Sequence, residues 1–148
     1  MYTKKDLEQE LHQAMRSGDQ LRKRLLRRLL SDIKLREVEK RDELTEGEIL
    51  SVIQKAVKIP QEAREEAIKA GREDLVKTSD EEIELLQSYL PEPLNEEELK
   101  SMAEAAIAEV GATEQRMMGA VMKVLMPRVQ GRADGKLLSG IVRDLLSE

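Results

Sequence analysis

The chain has 148 residues, 40% of them hydrophobic and 1% aromatic, with no cysteine and a net charge of -5. The missing thiols exclude disulfides, thiolate metal sites and cysteine nucleophiles and favour a reducing compartment, so we expect a cytoplasmic protein. No apolar run approaches the roughly 20 residues that span a bilayer, and runs typical of strands are missing, so we predict an all-α fold without a membrane segment.

The N-terminal part of the chain predicts two helices joined by a short turn. Thr3 and Asp6 have the spacing of a capping box and open an amphipathic stretch. Gly18 suits the left-handed residue that ends a helix, and Asp19 can cap the next one. This second helix is predicted to extend to about Arg41, with leucines on one face and basic side chains on the opposite face.

The following segment predicts a long helix that contains a proline, and then a fourth helix. Thr45 opens the third helix, and because helix formers continue beyond Pro60, we expect one kinked helix rather than two helices separated by a turn. Ser79 is predicted to start the fourth helix, and Pro91 to end it. The proline-rich segment therefore marks the end of an N-terminal helical domain, residues 1–91.

Residues 92–148 predict a small C-terminal three-helix bundle. Asn95 caps the first of its helices, whereas Thr113 caps the second and Pro127 stops it. A turn at residues 131–135 leads into the last helix. Four methionines of the second helix can either fill the core or form an adaptable groove for a partner helix: Met117, Met118, Met122 and Met126.

The sequence shows no combination of residues typical of a catalytic site. His12 is the only histidine, and no serine lies in a nucleophile-elbow or S-x-x-K pattern. A phosphate-binding glycine loop after a strand is also missing. We therefore predict a protein that is not an enzyme, has no cofactor or metal, and acts by binding.

Positive charge is concentrated in the predicted second helix. Nine basic and three acidic residues lie between Leu21 and Arg41, which gives this segment a local net charge of +6. Residues 22–28 include no acid, so these cations are solvated, paired with acids elsewhere in the fold, or bound to a polyanion. With so few aromatic rings to stack on bases, nucleic acid would be contacted through phosphate. The candidate residues are Lys23, Arg24, Arg27, Arg28 and Lys34, and in the C-terminal part Lys123, Arg128, Arg132 and Lys136.

Four segments, in this order along the chain, resemble the YqeY family. They are residues 70–75 (AGREDL), 89–91 (YLP), 118–122 (MGAVM) and 131–136 (GRADGK). This family is similar to the C-terminal tail of GatB, the tRNA-binding subunit of the glutamine-dependent tRNA amidotransferase. The resemblance implies a larger N-terminal helical part followed by a three-helix bundle, and it implies tRNA-related binding rather than amide chemistry.

The leading expectation is a noncatalytic helical module that binds tRNA or another structured RNA through phosphate contacts. One alternative is a protein-interaction adaptor that uses the methionine-rich bundle or an acidic face. Another is an accessory role in a glutamine-dependent amidotransferase, a carbon–nitrogen ligase. Neither membrane binding nor sequence-specific DNA binding is expected.

Overall fold

Residues 2–147 are described in a computed structural model. In this part of the chain there are seven α-helices, one short 3-10 helix and no strand, which confirms the predicted all-α fold. None of these helices is long and apolar enough to cross a membrane. The α-helices are α1 (Lys4–Ser17), α2 (Gln20–Lys40), α3 (Glu46–Lys69), α4 (Glu73–Gln87), α5 (Glu96–Val110), α6 (Met118–Val129) and α7 (Gly135–Leu146).

The helices form two compact units, with the boundary between Pro91 and Glu92. The first unit contains α1 to α4, and the second contains α5 to α7. That each unit is a domain able to fold independently stays a prediction.

Side-chain caps begin several helices as the sequence predicts. Capping boxes, in which the cap residue and the third helical residue bond each other's backbone amide, start α1, α3 and α5. Asp19 caps α2 through the amide of Arg22. Gly18 and Gly111 end α1 and α5 with φ angles of 74° and 70°, a left-handed conformation that glycine adopts without steric cost.

The core of the first unit lies where two helical hairpins meet. α1 packs mainly on α2, and α3 mainly on α4. The buried face of α2 is built from the leucines predicted to form it, and it meets the buried stripe of α3 around Ile53. The fully buried aliphatic side chains of this core include Leu7, Leu26, Leu29, Ile33, Ile53 and Leu86.

α3 is a single helix that continues through Pro60, as the prediction of one long helix requires. The proline removes one amide donor, which costs the helix its hydrogen bond to the carbonyl of Ala56. Beyond Pro60 the α3–α4 hairpin leaves the core, because only Ala67 and Ser79 are buried between residues 61 and 85. We call residues 61–80 the hairpin arm.

The predicted start of α4 at Ser79 is wrong. α4 begins at Glu73, and Ser79 is buried inside the helix. Arg72 precedes the first residue without making a side-chain cap, because a guanidinium has only donors and cannot accept a hydrogen bond from a backbone amide. Its Nη2 instead donates to Asp74 Oδ2 at 3.0 Å. A search for capping residues therefore misses this start and finds a capping-box spacing within the helix.

The second unit is a three-helix bundle, in which both predicted ends of α6 are wrong. A 3-10 helix, Gln115–Met117, precedes α6, so Thr113 does not cap it. Pro127 does not stop α6, which continues to Val129. Pro127 is exposed near the end of the helix, so water can satisfy the carbonyl of Lys123 that loses its amide partner.

Three of the four methionines near α6 pack against the core of the second unit, which favours the core-filling interpretation. They are Met117, Met118 and Met122. Met126 is 40% exposed.

Glu37 links the end of α2 to the start of α1 and to the loop before α3. Its carboxylate accepts hydrogen bonds from Lys4 Nζ at 2.6 Å and from the Leu44 amide at 3.1 Å. The hydrogen bond from Lys4 and then that from Leu44 lower the pKa of the Glu37 carboxyl, because both stabilise its charged form. The same contact with Glu37 raises the pKa of Lys4.

Candidate nucleic-acid interface

The predicted basic residues of α2 lie along one side of the helix, opposite its buried leucines. Successive residues of a helix are rotated by roughly 100° around its axis, and at this spacing the basic residues fall on the side opposite the leucines. Lys23 is half-buried. The exposed members are Arg24, Arg27, Arg28 and Lys34, and we call these five residues the basic face.

One cation of the basic face is paired with an acid of another helix. Arg24 Nη2 lies 2.7 Å from Glu82 Oε1 of α4, and the Arg24 side chain remains 62% exposed. Such an exposed pair stabilises a fold by about 0–1 kcal/mol, so a competing anion can displace it at little cost. Pairing with acids elsewhere in the fold, one of the alternatives, therefore holds at this position.

The remaining cations of the basic face are not neutralised by neighbouring carboxylates. Within residues 2–147, no ion pair joins Lys23, Arg27, Arg28 or Lys34 to an acid. Four positive charges within twelve residues repel one another in the free protein, and a bound polyanion would relieve that repulsion.

Two aliphatic residues continue the basic face toward the end of α2, and the sequence analysis missed them. Leu35 is 60% exposed and Val38 is 69% exposed. At 100° per residue, both point roughly in the direction of Arg28 and Arg27. Helical periodicity could have identified Leu35 and Val38 as exposed, because neither lies on the face of α2 that carries the buried leucines.

The C-terminal candidates differ in how far they are already engaged. Lys123 and Lys136 are exposed and form no ion pair within the described chain. Arg128 Nη2 lies 2.5 Å from Glu109 Oε2. Arg132 Nε donates to the carbonyl of Glu92 at 2.9 Å, so this side chain holds the segment that enters α5.

The single histidine and the acidic side chains form no metal site in the described part of the chain. His12 is exposed on α1. No three histidine, aspartate or glutamate side chains among residues 2–147 are arranged to hold a metal ion.

The chain matches the protein family described as "Yqey-like protein" over residues 4–146. Its relatives include proteins named "Altered inheritance of mitochondria protein 41, mitochondrial". The one from Eremothecium gossypii is 34% identical over 110 residues, which cover 72% of this chain and 60% of that protein. The one from Kluyveromyces lactis is 30% identical over 138 residues, which cover 90% of this chain and 70% of that protein. The chain thus spans less than two thirds of the Eremothecium gossypii relative.

The predicted cytoplasmic location is wrong on this comparison, because the relatives are named as mitochondrial proteins. The prediction used the missing cysteines and the lack of an apolar run. Missing cysteines indicate a reducing environment, whereas targeting signals determine which compartment a protein enters.

Proposed function

The chain belongs to the YqeY family, and we propose that it is a noncatalytic helical module that binds tRNA or another structured RNA through the basic face. The observation that carries this proposal is the set of cations on α2 that have no carboxylate partner within residues 2–147: Lys23, Arg27, Arg28 and Lys34.

The physical driving force is the release of counterions from RNA phosphates. Each phosphate neutralised by a lysine or arginine releases a condensed cation, so affinity falls steeply as salt is added. The overall charge of -5 opposes association with RNA at long range. The basic face must therefore act at short range, and binding is expected to be strongest at low ionic strength.

The noncatalytic part of the proposal is supported by the sequence itself. The chain has one histidine and no cysteine, and that histidine, His12, is exposed and makes no hydrogen bond or ion pair within residues 2–147. A general base or nucleophile needs such a partner to be activated.

The test is a salt titration of tRNA binding, measured by fluorescence anisotropy with a labelled transcript. In the triple variant Arg27→Gln/Arg28→Gln/Lys34→Gln, the slope of log affinity against log salt should become shallower by about 2–3, at roughly 0.9 per lost phosphate contact. The control variant removes three exposed lysines of α3 and α4, Lys55→Gln/Lys69→Gln/Lys77→Gln.

The control changes net charge by the same amount without touching the basic face. It should therefore keep the slope of the unmodified protein. Absence of tRNA binding at low salt would refute the proposal, and so would equal slopes for the two triple variants.

The second candidate is a protein-interaction adaptor, which the exposure of Leu35 and Val38 favours. Two aliphatic side chains beside cations suit an amphipathic acidic helix of a partner protein. A stoichiometric partner that survives nuclease treatment, and is lost with Leu35→Ser/Val38→Ser, would support the adaptor over the RNA-binding module.

A further inference from the structure

The spacing of charges on α2 suits a rigid ligand with two rows of anions. At 100° per residue, Lys23, Arg27 and Lys34 lie within roughly 40° of one another and form one row. Arg24 and Arg28 form a second row, roughly 100° further around the axis. The first row extends over eleven residues, or roughly 16 Å at 1.5 Å per residue.

No stacking surface for unpaired bases accompanies these charges. The only aromatic residues of the chain are Tyr2 and Tyr89, and their rings contact each other edge to face, with centroids 5.0 Å apart. Tyr89 is 3% exposed. Proteins that bind single strands combine a positive groove with aromatic side chains on which the bases stack, and α2 has only the charge.

The groove beside the basic face is also too small for an extruded base. It lies next to Arg28 and is lined by Leu25, Ile59, Pro60 and Glu82, with a volume of about 30 Å³. A void of about 10–15 Å³ by this measure accommodates one water molecule, so the groove has room for about two or three.

Ser31 lies between the two rows of cations and has a hydroxyl free to bind a ligand. Its side chain is exposed, and within residues 2–147 it makes no hydrogen bond. Ser51 and Ser139, also inside helices, instead donate to the carbonyl four residues earlier, at 3.2 Å and 2.9 Å.

We infer that the RNA bound by the basic face is double-stranded, and that α2 lies along its minor groove with Ser31 against a ribose 2′-hydroxyl. This inference rests on the proposed RNA-binding function. The minor groove of an A-form duplex is wide and shallow, and it displays 2′-hydroxyls between two phosphate strands. Two rows of cations with a hydroxyl between them match that arrangement. The protein would then recognise the shape of the duplex and its ribose hydroxyls, and it would not distinguish base sequences.

The test compares four labelled ligands by anisotropy at low salt with the full chain. They are a tRNA transcript, an RNA duplex of about 16 base pairs, the DNA duplex of the same sequence and one unstructured RNA strand of the same length. The RNA duplex is expected to bind at least about tenfold more tightly than the single strand, which has a lower charge density and lacks the groove.

The serine contact has its own variant. Ser31→Ala should reduce the preference for RNA duplex over DNA duplex by about fivefold, the effect of one hydrogen bond. Ser101→Ala, at an exposed serine of α5, should leave that preference unchanged.

The outcomes separate this inference from the proposed function. If tRNA does not bind, the proposed function fails, and the inference fails with it. Two outcomes would overturn only the inference, with tRNA binding retained. In the first, the single strand binds as tightly as the RNA duplex; in the second, neither the single strand nor the RNA duplex binds. Equal affinities for RNA and DNA duplexes, or an unchanged preference in Ser31→Ala, would overturn the 2′-hydroxyl contact.

Discussion

Replacing Arg41 with glycine is expected to stabilise the protein, because Arg41 has a backbone conformation that costs every residue with a Cβ atom. Its φ and ψ are 62° and 30° at the end of α2, and its amide donates to the carbonyl of Glu37 at 2.8 Å. Among residues 2–147, no other residue except glycine has a positive φ. The Arg41 side chain is exposed and forms no ion pair in that part of the chain, so its removal loses little.

The size of the effect follows from two opposing contributions. The left-handed conformation costs an L-residue roughly 1–2 kcal/mol. Glycine removes that cost but loses more backbone entropy on folding, about 0.5–1 kcal/mol. The net gain in the free energy of unfolding is therefore about 0.5–1 kcal/mol, which corresponds to a rise in Tm of about 1–4 °C for a chain of this size.

The measurement is urea unfolding followed by circular dichroism at 222 nm. Arg41→Ala is the first control, since it removes the side chain and keeps the unfavourable φ. Glu39→Gly is the second control, because a glycine in the last turn of α2, where φ is negative, should not stabilise the protein. If Arg41→Gly is no more stable than Arg41→Ala, the backbone reasoning is refuted.

Three further substitutions test the packing and the electrostatics of the first unit. The lowered pKa of Glu37 means that its contribution to stability is present above its ordinary value of 4.5 and lost as pH falls through the folded-state pKa; Glu37→Gln should therefore make the acid limb of stability against pH shallower, and an unchanged limb would contradict the assignment. Leu26→Ala, at a fully buried position, should lower the free energy of unfolding by about 3–5 kcal/mol in urea denaturation; a loss below about 1 kcal/mol would argue against the core as described. Burial raises the pKa of Tyr89 to about 12, so stability should fall as pH rises from 10 toward 12, and Tyr89→Phe should flatten this alkaline limb. The Tyr89 hydroxyl is buried without a hydrogen-bond partner in the described chain, so the same variant should be as stable as the unmodified protein at pH 7.

Most of the fold could be predicted from the sequence because its helix boundaries are set by local contacts. The capping boxes that begin at Thr3, Thr45 and Asn95 each join residues only three positions apart. Where the boundary has no such signal, prediction failed. α4 begins after Arg72 without a side-chain cap, and α6 begins after a 3-10 helix rather than at a capping threonine.

The candidate interface could be predicted only in part, for a different physical reason. The position of Arg27 and Arg28 opposite the buried leucines follows from helical periodicity. The ion pair between Arg24 and Glu82 joins residues 58 positions apart, so only the packing of α2 and α4 determines it. Periodicity also could not show that Arg132 is already bonded to the carbonyl of Glu92.

The hairpin arm has a consequence for local unfolding. Its two buried side chains, Ala67 and Ser79, are small, so its two helices bury little apolar surface against each other. An exposed ion pair between Arg64 and Asp80 also joins them. Local opening costs least where few apolar contacts must be broken. Amide hydrogens of residues 61–80 should therefore exchange with solvent well before those around Leu29 and Ile53. A protease that cleaves after basic residues should cut first near Lys69 and Arg72, leaving the core of the first unit folded.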